Sequence, residues 1–133
     1  NRDDLVKKVL SEVKSRRIDV QIEPDGSQPG ELKRTKSLNY TRLNLKFFFD
    51  LAKAGEAHDI DLWNYQSEDG RSLRKALDFL TPYLLGARKD WPYQQIDSTG
   101  PSSFYRLYQE AARAYQEPLY LEIARKLRTI SKW

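Results

Sequence analysis

Apolar residues recur along most of the chain at helical spacing. Leu5, Val6, Val9, Leu10 and Val13 share one face and predict an amphipathic helix over residues 2–17. Asp3 and Asp4 in its first turn, and Arg16 and Arg17 in its last, suit the helix dipole. Ile18-Asp19-Val20-Gln21-Ile22 alternates apolar and polar, which fits a short strand or an extended connector equally well. Residues 23–30 are dominated by turn formers and read as a loop. From Ser37 to Ala57 the density of Leu38, Leu43, Leu45, Phe47, Phe48, Phe49 and Leu51 predicts a long helix contacted around most of its circumference. Leu73, Ala76, Leu77 and Leu80 mark a shorter helix that Pro82 is expected to end or kink. Phe104, Leu107, Tyr108, Ala111, Ala112 and Tyr115 outline another, and Pro118 opens a last one carrying Leu119, Ile123, Leu127 and Ile130. The expectation is an all-α chain of five helices. Its irregular segments, 23–30 and 91–100, are long enough to carry function.

Composition narrows the function classes. A chain of 133 residues is one domain or a piece of a larger one. With 39% hydrophobic and 12% aromatic residues it is not a disordered segment, and no apolar run reaches the ~18 residues of a membrane span. Cysteine is absent, which excludes disulfides and thiolate metal sites, and a single histidine, His58, removes most zinc constellations. His58 lies in Gly55-Glu56-Ala57-His58-Asp59 and reads as a solvated or capping side chain. There is no glycine-rich phosphate loop, no His-Glu-x-x-His and no serine with a histidine partner. The chain starts inside a helical pattern without a methionine, so residues 1–133 are read as an internal or C-terminal portion of a longer protein.

The net charge of +4 allows an anionic partner without requiring one. Lys33, Arg34, Lys36, Arg42 and Lys46 place five cations around Tyr40, directly after the polar loop. A solvated basic helix face is one account of them, and a polyanion site is the other. Trp63, Tyr65, Trp91 and Tyr93 are loop aromatics of the kind that stack on sugar rings, or that pack edge-on against helices. Tyr105, Tyr108, Tyr115 and Tyr120 sit at helical spacing and read as core or interhelix contacts.

Asp25-Gly26-Ser27-Gln28-Pro29, Glu31-Leu32, Arg34-Thr35, Ser37-Leu38 and Tyr40, followed by Asn44-Leu45, form a fixed pattern. It continues through Asp61-Leu62-Trp63, Asp69-Gly70-Arg71-Ser72-Leu73, Ala76-Leu77-Asp78-Phe79-Leu80, Pro82-Tyr83 and Trp91-Pro92-Tyr93-Gln94-Gln95. This pattern resembles the alginate lyase family of polysaccharide lyases. The resemblance implies an incomplete α/α toroid, a ring of antiparallel helical hairpins, of which this chain is the C-terminal part. It implies β-elimination on a uronic-acid polymer, with Tyr40 as the catalytic tyrosine and Arg34 assisting it. Gln28, Lys36, Trp91 and Tyr93 complete the expected site as substrate-binding residues. The family's asparagine and histidine, from an Asn-Asn-His-Gly segment, are not in these residues and are expected from an N-terminal remainder of the same protein. Some alginate-specific members of the family it resembles place the arginine seven residues before the tyrosine, whereas Arg34 is six before Tyr40, which leaves a glucuronan-type substrate open. The expected partner is an anionic polysaccharide, with no metal, cofactor, nucleic acid or membrane, in a periplasmic or secreted setting. A non-catalytic helical module that binds such a polysaccharide is the alternative.

The chemistry makes its own demands. Removing the C5 proton of a uronate is hard because the adjacent carboxylate is already negative, so neutralising that carboxylate stabilises the enolate-like transition state. A tyrosine can protonate the leaving oxygen, or act as base where cations favour the phenolate. Six residues on one continuous helix separate two side chains by about 120°. Arg34 and Tyr40 therefore converge only if the helix starts near Lys36 or Ser37, with Arg34 in the loop before it.

Overall fold

The computed structural model describes residues 1–130 and 132–133, and among them there is no β-strand, only one isolated bridge between Lys36 and Gln95. Helix α1 (Arg2–Val13) opens on the Asn1 side chain, which accepts a hydrogen bond from the Asp4 backbone N–H at 2.9 Å. The chain stays helical through a π-helical stretch, Lys14–Ile18, and a last turn, α2 (Asp19–Gln21). The expected strand or connector at 18–22 is thus helix almost to its end. Ile18 and Ile22 are four residues apart and both fully buried, while Val20 faces water, so alternation over five residues was one turn of a helical stripe.

Residues 23–28 make the expected loop, but Pro29 and Gly30 already belong to a short helix, α3 (Pro29–Leu32), with proline in its first turn. Gly26 is required where it stands. Its φ is +91°, and a Cβ there would lie 2.1 Å from the Lys75 carbonyl oxygen. This contact seats the loop on α5 (Leu73–Leu85), which is capped by the Ser72 hydroxyl. Pro82 does not end α5, which continues to Leu85. The proline gives up only its own N–H, and the Pro82 carbonyl still receives the Gly86 N–H at 3.1 Å.

The longest helix, α4 (Ser37–Glu56), buries Leu38, Leu45, Phe48, Phe49 and Ala52. A 3₁₀ turn (Pro101–Ser103) leads into α6 (Tyr105–Tyr115), which ends at Gln116 in the left-handed region with φ 51°. Then α7 (Pro118–Thr129) folds back on α6 as a hairpin. In this arrangement α5 touches α4, α6 and α7, and α1 lies on α4. The tyrosines of the last hairpin pack as expected: Tyr108 is fully buried against Thr81, the Tyr120 hydroxyl donates to Asp78, and the Tyr115 hydroxyl donates to the Trp63 carbonyl. Val9 and Phe47 remain about half exposed, at 53% and 48%, along the groove between α1 and α4.

Candidate active site

The position of the candidate site depends on where α4 begins. Lys36 precedes the first turn but offers no side-chain cap. The cap comes from far along the chain. The Gln95 side-chain carbonyl accepts the backbone N–H groups of Leu38 at 2.8 Å and Asn39 at 3.3 Å. Ser37 donates its backbone N–H and its hydroxyl to the Gln94 carbonyl, and the Trp91 indole N–H donates to the Ser37 hydroxyl at 3.0 Å. Two of the four orphan donors of a helix start are thereby satisfied by one carboxamide. The Gln95 amide group in turn donates to Asp97. The Asp97 carboxyl is held below its usual pKa, chiefly by Thr99 hydrogen bonds and further by the charge of Lys36.

A helix that begins at Ser37 leaves Arg34 in the preceding turn, free to swing across. Its guanidinium carbon lies 3.6 Å from the centre of the Tyr40 ring, and one of its nitrogens is 3.2 Å from Glu31. The cation therefore covers the electron-rich face of the ring, an attractive arrangement. Tyr40 is half-buried, and among the described residues its hydroxyl has no hydrogen-bond partner. In this it differs from Tyr65, Tyr115 and Tyr120, whose hydroxyls are all tied to protein oxygens.

One turn further along the same face of α4 stands Asn44. Its amide donates to Gln21 at 3.0 Å and to Gln28 at 2.7 Å, and Gln28 donates to the Thr41 carbonyl at 3.4 Å. Gln21, Gln28, Glu31 and Asn44 line an open cleft of about 400 Å³. The arginine–tyrosine pair adjoins it through Glu31.

The other expected site residues fall in different surroundings. Gln28 is 1% exposed and its amide is engaged on both atoms, so it braces the cleft wall. Lys36 is half-buried at the start of α4, bridged by its backbone to Gln95. Trp91 packs edge-on with Phe79, Tyr83 and Tyr93, and its N–H is spent on Ser37. Tyr93 is the exposed member of that cluster. Trp63 is buried, with its N–H on Glu56. The Tyr65 hydroxyl donates to Asp19 at 2.6 Å, a bond that, with some burial, pushes its pKa up to about 12. His58 reaches Asp3 at 3.0 Å and ties the end of α4 to α1. It follows Tyr40 by 18 residues, roughly 27 Å along a helix.

Sequence reasoning missed Gln95 as the cap of α4 and Glu31 as the anchor of Arg34. The first joins residues more than fifty positions apart and leaves no local signal. The second is a three-residue spacing that periodicity does offer. Among the described residues no group of three or more histidine, aspartate or glutamate side chains is arranged to hold a metal ion, and no helix is long and apolar enough to cross a membrane.

The family profile described as Alginate lyase matches residues 1–91, a span that includes Arg34 and Tyr40. Among solved structures, that of an alginate lyase from Bacteroides ovatus is similar to the chain at 36% identity, with a TM-score of 0.90. That match covers 96% of this chain and 34% of the other, so the chain spans about a third of that enzyme's length. No curated protein matches the sequence. A family profile matched over more than half of the residues, together with this likeness in sequence and fold, assigns the chain: it belongs to the alginate lyase family.

Proposed function

We propose that the chain forms part of the active site of a polysaccharide lyase that cleaves a uronic-acid polymer, alginate or a glucuronan-like chain, by β-elimination. The observation that carries this reading is the Arg34–Tyr40 pair: a guanidinium 3.6 Å from the ring centre, beside a tyrosine hydroxyl with no partner among the described residues. In the reaction, a base takes the C5 proton of a uronate, the electron pair forms the C4=C5 double bond, and the C4–oxygen bond breaks. The leaving oxygen then takes a proton. Tyr40 serves as the acid–base group, and Arg34 faces the uronate carboxylate as its negative charge builds. Arg34 holds Glu31 in the free chain, and a substrate carboxylate would compete for the same guanidinium.

His58 is committed to Asp3 at the far end of α4. We therefore assign any imidazole at Tyr40 to an N-terminal remainder of the same protein. A polymer too large to enter a cell suits a periplasmic or secreted enzyme.

The test is Tyr40→Phe in the lyase that contains this chain. One oxygen is lost from a group with no internal hydrogen bond, so folding should be unchanged. Turnover, followed by ultraviolet absorbance of the unsaturated uronate, should fall by about 10²–10⁴-fold. Turnover near wild type would remove Tyr40 from the mechanism. A non-catalytic polysaccharide-binding module would show binding without any absorbance change in either form.

A further inference from the structure

We infer that the cleft between α4 and α6 is a second binding site for a stretch of polyuronate chain, on the side of α4 opposite Tyr40. The residues fix the separation. Tyr40 and Asn44 share one face of α4, whereas Arg42 is about 200° round from Tyr40, with Lys46 and Lys53 beside it. The cleft has a volume of about 720 Å³, against about 400 Å³ for the one beside Glu31 and Asn44.

Its charges are not all spent internally. Lys46 is paired with Asp50 at 3.0 Å, and Arg113 with Glu56 and Glu110 at 2.8 and 2.7 Å. Among the described residues Arg42, Lys53 and Arg106 form no ion pair. Arg42 is half-buried beside Phe104. It gives one nitrogen to Asn39, while its buried Nε has no acceptor. That Nε is sealed from solvent, so a ligand oxygen meets the guanidinium at Nη1, which has no hydrogen-bond partner among the described residues. Arg42 and Lys53 are eleven residues apart, ~16 Å along the helix, so the cations form a row rather than a socket. A row suits an extended polyanion better than one small ion. The remaining lining favours sugar over nucleic acid. Ser102, Ser103 and Gln109 offer hydrogen bonds to hydroxyl groups, and Tyr105 is the one aromatic ring there that is not buried. Successive bases would need several such rings. The choice of polyuronate among sugar polyanions rests on the proposed lyase reading, while the cleft and its charges do not.

The experiment titrates the 133-residue chain with a mannuronate tetrasaccharide, following backbone amide shifts by NMR. The same titration is made with cellotetraose and with a short single-stranded DNA. Shifts should appear at Lys53, Arg106 and Gln109, weaken as salt rises, and be absent with cellotetraose. Lys53→Gln with Arg106→Gln, both exposed and outside any ion pair, should weaken binding on the order of tenfold. Tyr40→Phe should leave these shifts unchanged. Shifts confined to Arg34 and Tyr40 would overturn the second site while leaving the lyase reading in place. DNA binding as tight as the uronate, or indifference to the double substitution, would overturn it as well.

Discussion

Replacing Gln95 with leucine tests whether α4 is held at its start by a residue far along the chain. The substitution removes the acceptor for the Leu38 and Asn39 N–H groups and the donor to Asp97. Loss of a helix cap costs about 1 kcal/mol, and a second partly buried N–H left without a partner adds a comparable amount. The longer of the two bonds, 3.3 Å to Asn39, contributes the lesser share. The total expected is about 2 kcal/mol, which in a chain of this size lowers Tm by roughly 5–10 °C. Gln95→Glu separates the causes. A carboxylate still accepts both N–H groups and suits the positive end of the helix, but it meets Asp97 as a like charge. It should fall between wild type and leucine at neutral pH. Thermal unfolding followed by circular dichroism, with urea titration as a second measure, gives the comparison. A leucine variant within about 1 °C of wild type would mean that water or local backbone caps α4 instead, and the account of the site's placement would fail.

Gly26→Ala should destabilise the chain by about 2–4 kcal/mol, because the methyl group meets the Lys75 carbonyl and the backbone sits at φ +91°; urea unfolding measures it. Tyr65 has its pKa raised to about 12 by its bond to Asp19, so its contribution is complete below the unfolded value of about 10 and is lost as pH rises toward 12. Tyr65→Phe should therefore flatten the alkaline fall in stability, and an unchanged slope would contradict the assignment. The 133-residue chain by itself should release little or no unsaturated uronate, since its one histidine is held at Asp3; rapid growth of ultraviolet absorbance would show that Tyr40 needs no imidazole.

Periodicity carried the long helices because each buries one continuous stripe. Leu73, Ala76, Leu77 and Leu80 are all fully buried, and Ile123 and Leu127 close the core from α7. It failed where two periods coincide over a short run. Ile18 and Ile22 satisfy strand alternation and one helical turn alike, and only the buried side of the continuing helix decides between them. Pro82 misled for a different reason: near the end of a helix already packed on three others, the loss of one N–H bond is outweighed by burial of Leu80 and Leu84. The convergence of Arg34 on Tyr40 was legible as a condition on where α4 begins. What sets that beginning was not, because Gln95 lies in an irregular segment whose register no local pattern reveals.

The cap and the arginine are parts of one geometric problem. A six-residue separation puts two side chains about a third of a turn apart if helix runs through both, so an arginine within the helix would face away from the tyrosine. Ending the helix at Ser37 removes that constraint, and α3 then turns the chain so that Glu31 holds the guanidinium over the ring. The register of the Gln95 cap consequently decides on which side of Tyr40 the cation lies. An arginine one residue earlier would lose the three-residue spacing that pairs Arg34 with Glu31 and would need a different anchor. The short separation and the Glu31 pair are thus linked features of this chain. They predict that Glu31→Gln frees Arg34 from the ring without disturbing the cap, which a melting curve would not register but a change in Tyr40 ring resonances would.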